Sequence, residues 1–315
     1  MKEGVGTLPR VGLALGSGGA RGAAHVGVLK VLEREGIKVS AIAGSSIGAM
    51  VGGAYAAGIP LSRIEEEWLT TNRARLLRSF LPTFPRAGLS SGAGLRRYLR
   101  EILGDVRIEE LPIPFAAVAT DLDTGEPVVL REGPLVEAIR ASTAIPGIFQ
   151  PVRWEGRLLV DGGMVEPLPV RVCRELGADI VIAVDVNPRP KPTTPQGRKA
   201  LASAENILRE GLLDKPWVPG HLAEVVREYT ERKLETRPLP GIFEILNQCV
   251  AIFVQEILRL KLSLEPPDIY IRPRLREEHN YLRAKENIQA GEEAMEEALP
   301  ALRALLAGKV KESLG

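Results

Sequence analysis

The chain of 315 residues predicts an α/β domain with a mostly parallel sheet and a helical C-terminal region. Three observations predict it. Short apolar strand signals alternate with helical ones from Val11 to Val186, with no linker between them. Two of the strands run into glycine-bearing turns that open helices. Beyond residue 220 the pattern is helical apart from one closing strand. The expected organisation is a tail at 1–8, one core over 9–186, a Pro-rich loop or lid at 187–220, and a helical part of the same domain at 221–315.

The first strand signal is Val11 to Leu15, followed by Gly16-Ser17-Gly18-Gly19-Ala20-Arg21-Gly22 and a helix over 20–35. A glycine-rich turn at a helix start aims several backbone N–H groups at one spot, which suits an anion. The spacing also matches part of a dinucleotide or phosphate loop. A dinucleotide unit wants an acid about 20 residues on, yet no acid lies between Lys38 and Arg63. No Gly-Lys-Ser/Thr follows, which excludes a P-loop. An oxyanion hole uses the same physics and leaves no residue missing.

The second strand, 39–43, enters Gly44-Ser45-Ser46-Ile47-Gly48 before a helix over 46–58. This is G-x-S-x-G at a strand-to-helix turn. Flanking glycines remove Cβ atoms where the chain turns sharply, and the Ser46 hydroxyl stands where it can attack an acyl carbon. Val39 to Ser62 carries no charge and is long enough to span a bilayer. It is dominated by Gly, Ala and Ser and closed by Pro60, so it reads as a buried helix packed under the sheet.

Helices follow over 61–71 and 92–103. The stretch Trp68 to Arg100 has no Asp or Glu but carries Arg73, Arg75, Arg78, Arg86, Arg96, Arg97 and Arg100 among apolar residues. Its plain reading is an Arg-bordered helix pair with a core side. Its functional reading is a surface that meets anionic lipid and admits an acyl chain. Strands at 114–120 and 126–130 lead to a helix over 134–142. A hairpin at Val152 to Leu158 then feeds strand 157–160 and Asp161-Gly162-Gly163. An acid at a strand end before two glycines can point into a cleft, although Asp-Gly alone reads more readily as a turn. A helix at 168–176, a strand at 180–186, helices near 200–212, 221–235, 240–263 and 281–306, and a strand at 268–272 complete the pattern.

In this order the motifs resemble those of the patatin-like phospholipase family, particularly its compact bacterial members. Gly16 to Gly22 is similar to the family's oxyanion loop, Gly44 to Gly48 to its nucleophile elbow, and Asp161-Gly162-Gly163 to its D-G-[GA] motif. Ala141 to Gly147 is similar to its A-S-x-A-x-P-G block, and 267–273 to the closing strand of bacterial members. The match covers about 9–186. Glu166 departs from the asparagine often found a few residues after D-G-G.

The resemblance implies a three-layer α/β/α patatin-like fold and a serine acyl hydrolase. Ser46 and Asp161 would form a catalytic dyad without histidine. Gly18, Gly19 and Arg21 would supply oxyanion amides, and Gly16, Gly22, Gly44, Gly48, Gly162 and Gly163 would support the motifs. Phospholipid or lysophospholipid esters would be the substrates, with no cofactor or metal. Only His25, His221 and His279 are present. His25 falls in the first helix, and neither of the others has the setting of a strand-end catalytic loop. A carboxylate of ordinary pKa is a poor base at neutral pH, so burial of Asp161 would be needed to raise it. Other readings are a general carboxylesterase or acyltransferase on a non-lipid substrate, and a regulatory protein that keeps the fold.

A formal net charge of +1 makes no global case for nucleic acid. Cys173 and Cys249 lie in apolar helical settings without ligand spacing and point weakly to a reducing compartment. The apolar stretch near the N-terminus is too short and glycine-broken for a signal peptide. The expectation is a cytoplasmic protein, peripheral to an anionic membrane on the functional reading of the Arg-rich segment.

Overall fold

The structure, a computed structural model, describes residues 9–70, 90–189, 241–275 and 283–314. The expected helices at 200–212 and 221–235, nearly all of the Pro-rich stretch, His221, His279, and Arg73, Arg75, Arg78 and Arg86 lie outside the described residues. The chain divides into two compact units, Met1–Pro188 with Phe253–Gly315, and Arg189–Ile252. The described part of the second is chiefly the first half of one helix. The sheet and the candidate site belong to the first.

The strands are β1 (Val11–Leu15), β2 (Val39–Ser45), β3 (Phe115–Asp121), β4 (Pro127–Leu130), β5 (Val152–Trp154), β6 (Arg157–Asp161), β7 (Ile180–Val184) and β8 (Ile269–Ile271). They form one sheet, hydrogen-bonded along the path β5-β6-β3-β2-β1-β7-β8, with β4 also paired to β3. The block from β3 through β2, β1 and β7 to β8 is parallel, whereas β4, β5 and β6 join antiparallel. The helices are α1 (Ala23–Arg34), α2 (Ile47–Ala56), α3 (Leu61–Leu69), α4 (Ala93–Leu103), α5 (Leu135–Ser142), α6 (Val170–Glu175), α7 (Ile242–Leu264) and α8 (Ala284–Leu314).

Alternation along the parallel strands builds two apolar faces. One carries Leu13, Leu15, Ile42, Phe115 and Ile182 and packs with residues of α1, α2, α5 and α8. The other is made of smaller residues, Ala14, Ala43, Ala116 and Ala183, and packs with Val170 and Cys173 of α6 and Leu258 of α7. Three α/β/α layers result, with a mostly parallel sheet in the middle.

Most element boundaries fall within two residues of the sequence reading. Two places differ. The expected single helix over 20–35 opens as a 3-10 turn, Gly19–Gly22, before α1 begins. Glycines leave that first turn without side-chain support for regular α geometry. The last helix runs to Leu314 instead of ending at 306, with Pro300 inside it and Gly308 within its span. Glycine lowers helix propensity without forbidding the helix. No helix among the described residues is long and apolar enough to cross a membrane. The uncharged stretch from Val39 to Ser62 is instead split between β2, α2 and the start of α3.

Candidate active site

Two strands meet end to end beneath the site. Along β3, Gly44 and Ser45 of β2 pair with Ala117 and Val118, and Asp161 and Val160 of β6 pair with Ala119 and Thr120. β4 pairs with Ala117 through Thr120 and so occupies the other edge. β2 and β6 therefore share one edge of β3, running toward each other. Their C-terminal ends abut, and two residues 115 positions apart in sequence become neighbours.

The turn after β2 is tight. Ser46 has φ 53° and ψ −118°, a left-handed conformation that a non-glycine residue adopts only under constraint. A Cβ at Gly48 would lie 2.1 Å from the Leu15 carbonyl oxygen, so only glycine lets α2 start this close to β1. The strained turn lifts the Ser46 side chain out of the strand line. Its hydroxyl donates to Asp161 Oδ2 at 2.5 Å.

Asp161 caps the 3-10 turn Gly162–Met164, accepting from the Gly163 amide at Oδ1, 2.8 Å away. Its backbone is fixed too: the Thr120 hydroxyl donates to its carbonyl at 2.8 Å, and its amide donates to the Ala144 carbonyl at 3.1 Å. Only 7 % of its surface is exposed. Burial pushes its carboxyl up to about 6, although the hydrogen bonds from Ser46 and Gly163 pull the other way. A carboxylate so placed can accept a proton near neutral pH.

The glycine loop lies beside this pair. Gly16 donates to the Val184 carbonyl and Ser17 to the Pro167 carbonyl, which fixes the loop across the ends of β1 and β7. Gly18 and Gly19 open the 3-10 turn, where helical geometry leaves N–H groups without an acceptor in the turn. The Arg21 amide differs, since it donates to the Gly18 carbonyl at 3.4 Å. His25 sits under the loop, fully buried, with Nε2 donating to the Gly16 carbonyl at 2.9 Å. Burial pushes it down to about 4, against smaller opposing effects of Gly16 and Asp185, so it is neutral at pH 7. It acts as a strut for the loop.

Sequence reasoning singled out the Ala141 to Gly147 block without giving Ser142 a role. Ser142 accepts from the Ser46 amide at 2.8 Å and donates to the Val118 carbonyl at 2.5 Å. It fills the gap where the β3 ladder passes from β2 to β6. Glu166 is also settled by the fold. Its buried carboxylate pairs with Lys261 of α7 at 2.6 Å, and its amide donates to the Gly162 carbonyl. A lysine partner 95 positions away gave no local signal. Among the described residues no three His, Cys, Asp or Glu side chains gather as a metal site requires.

The patatin-like phospholipase family model matches residues 13–174, just over half the chain and inclusive of Ser46 and Asp161. The chain belongs to the patatin-like phospholipase family. Over 182 residues it is 48 % identical to an uncharacterised NTE family protein of Mycobacterium tuberculosis, covering 57 % of this chain and 49 % of that protein. Over 181 residues it is 36 % identical to patatin-like phospholipase domain-containing protein 6 of Homo sapiens, covering 56 % of this chain and 13 % of that one. The crystal structure of VipD from Legionella pneumophila aligns with a TM-score of 0.45 at 14 % identity, covering 94 % of this chain and 67 % of VipD. The chain spans about half the length of the mycobacterial relative and a small part of the human one.

Proposed function

We propose that this protein is a serine acyl-ester hydrolase acting on phospholipid or lysophospholipid esters through a Ser46–Asp161 dyad. The observation that carries the reading is a serine held at φ 53° on a strand-to-helix turn, its hydroxyl 2.5 Å from a buried carboxylate. Asp161 takes the proton as Ser46 Oγ attacks the ester carbonyl. The oxyanion develops beside the Gly18 and Gly19 amides. Collapse expels the alcohol, which takes the proton back from Asp161, and leaves an acyl-serine. Water then attacks the acyl carbon, again giving its proton to Asp161, and Ser46 is released. The buried carboxyl, raised to about 6, is ionised at pH 7 yet basic enough to serve both steps. Family membership supports lipid as the acyl donor. The acid-free Arg-rich segment supports contact with an anionic surface, and the two unpaired-by-spacing cysteines support a cytoplasmic setting.

Ser46→Ala should abolish ester hydrolysis, by about 10³-fold or more, without loss of fold. A fluorophosphonate should label the wild type at Ser46 and leave Ser46→Ala unmarked. A panel of acyl esters of rising chain length, assayed in EDTA, tests substrate and metal dependence together. Turnover that favours short non-lipid esters would turn the reading toward a general carboxylesterase. Loss of turnover in EDTA, restored by calcium or zinc, would contradict a metal-free dyad.

A further inference from the structure

The glycine loop and the acid loop meet at Ser17, which a buried polar chain outside both motifs holds in place. Asp185, one residue past β7, is 1 % exposed. Its Oδ1 accepts from the Asn187 amide at 2.9 Å and from Asn187 Nδ2 at 2.8 Å. Its Oδ2 accepts from the Tyr270 hydroxyl at 2.7 Å and pairs with Arg272 Nη1 at 3.0 Å. Asn187 then presents its Oδ1 to the Ser17 hydroxyl, which donates to it at 2.5 Å. The Pro167 carbonyl accepts both the Ser17 amide, at 2.9 Å, and Asn187 Nδ2, at 3.4 Å.

Ser17 also touches the acid loop. A Cβ added to Gly163 would lie 2.7 Å from Ser17 Oγ and 3.0 Å from Asp161 Oδ1, so Ser17 and the Gly163 backbone are in direct contact. The Gly163 amide is the donor to Asp161 Oδ1. In the other direction, Ser17 immediately precedes Gly18 and Gly19. One side chain thus stands between the proposed oxyanion amides and the donor that orients the proposed base.

Chemistry explains why the anchor is charged. A buried carboxylate is costly unless saturated with donors, and an apolar residue would serve a strand end that needed only stability. Asp185 is saturated, and its negative charge selects the Asn187 rotamer. Nδ2 must face Asp185, so Oδ1 must face Ser17, which makes the Ser17 hydroxyl a donor. Tyr270 and Arg272, at the far edge of the sheet, hold Asp185 in place.

We infer that Asp185 and Asn187 are positioning residues, which fix Ser17 and through it the Gly18 and Gly19 amides and the Gly163 donor to Asp161. The inference rests on hydrolysis at Ser46. All four residues from Asp185 to Arg272 that build the anchor lie beyond the stretch matched by the family, 13–174.

The test is a double-mutant cycle on Ser17→Ala and Asn187→Ala with a short soluble ester. Rates are expressed per active site, counted by end-point fluorophosphonate labelling of Ser46. Each single variant should lower kcat about 10- to 100-fold with KM changed by less than about twofold, since small misplacement of reacting groups acts on the transition state. The double variant should be no slower than the slower single, because both break the same link. Ser17→Ala removes one oxygen atom and carries the test if Asn187→Ala fails to fold. Full kcat per labelled site in the single variants would overturn the inference, as would additive losses. So would an effect confined to melting temperature or to the labelled fraction, which is what a purely structural role produces. If the wild type itself neither hydrolyses esters nor labels, the hydrolase reading fails and takes this inference with it. An active wild type with unaffected variants sinks this inference alone.

Discussion

Asp161 is where stability and chemistry pull against each other. Its carboxyl is raised from 3.8 to about 6, first by burial, and the folded protein therefore binds its proton more tightly than the unfolded chain does. The stabilising effect of that proton is complete below about pH 3.8 and lost as pH rises through about 6. Above that range the buried charge costs about 3 kcal/mol. Asp161→Asn should accordingly abolish turnover and yet melt higher than the wild type at pH 8. The gap should narrow as pH falls from 6 toward 4, which a series of thermal melts reads directly. In the wild type, kcat/KM should rise with pH through an apparent pKa near 6 and then level, because only the carboxylate can take the Ser46 proton. A profile governed by a group near 7 and lost in His25→Ala would point to histidine instead. The fold argues against that, since His25 is neutral and committed to the Gly16 carbonyl.

At the scale of elements, the junction of β2 and β6 on one edge of β3 decides the site. Two buried serines should respond to alanine in opposite ways. Ser142→Ala, across the junction, leaves the Ser46 amide and the Val118 carbonyl without partners in a buried setting. It should cost about 2–4 kcal/mol in urea unfolding and lower kcat as the strained turn relaxes. Ser45→Ala removes a buried hydroxyl that has no hydrogen-bond partner and should be neutral or stabilising. Equal losses in the two would mean that the junction is held by packing alone. The same junction marks how far the sequence could be read. The strand-to-turn signals at Ser46 and Asp161 were legible because each motif is local: a strand, a glycine, a reactive side chain. That both face one another depends on β6 running antiparallel into the end of β2, and pairing direction is not written in local periodicity. Ser142, Asp185 and Asn187 carry no local signal for the same reason. Each is a polar residue whose partner is fixed by tertiary contact, while Lys261 answers Glu166 only because α7 returns to the small-residue face of the sheet.

Across the whole molecule, charge is nearly balanced at +1 but unevenly placed along the chain. From Trp68 to Arg100 there are seven arginines and no acid, with apolar residues between them. Such a segment would favour an anionic surface, since each basic group near that surface contributes about 1 kcal/mol. Neutralising Arg73, Arg75, Arg78 and Arg86 together should weaken co-sedimentation with anionic vesicles by about 10³-fold at low salt. Hydrolysis of a short soluble ester should change little, since none of these residues belongs to the proposed dyad or oxyanion loop. Raising salt should reproduce the loss in the wild type, because exposed charges are screened over about 10 Å at 0.1 M. Vesicle binding that is equal in the two proteins at low salt would remove the membrane role from this segment. The arginines would then have no part in substrate delivery, and the acyl ester would have to reach Ser46 from solution.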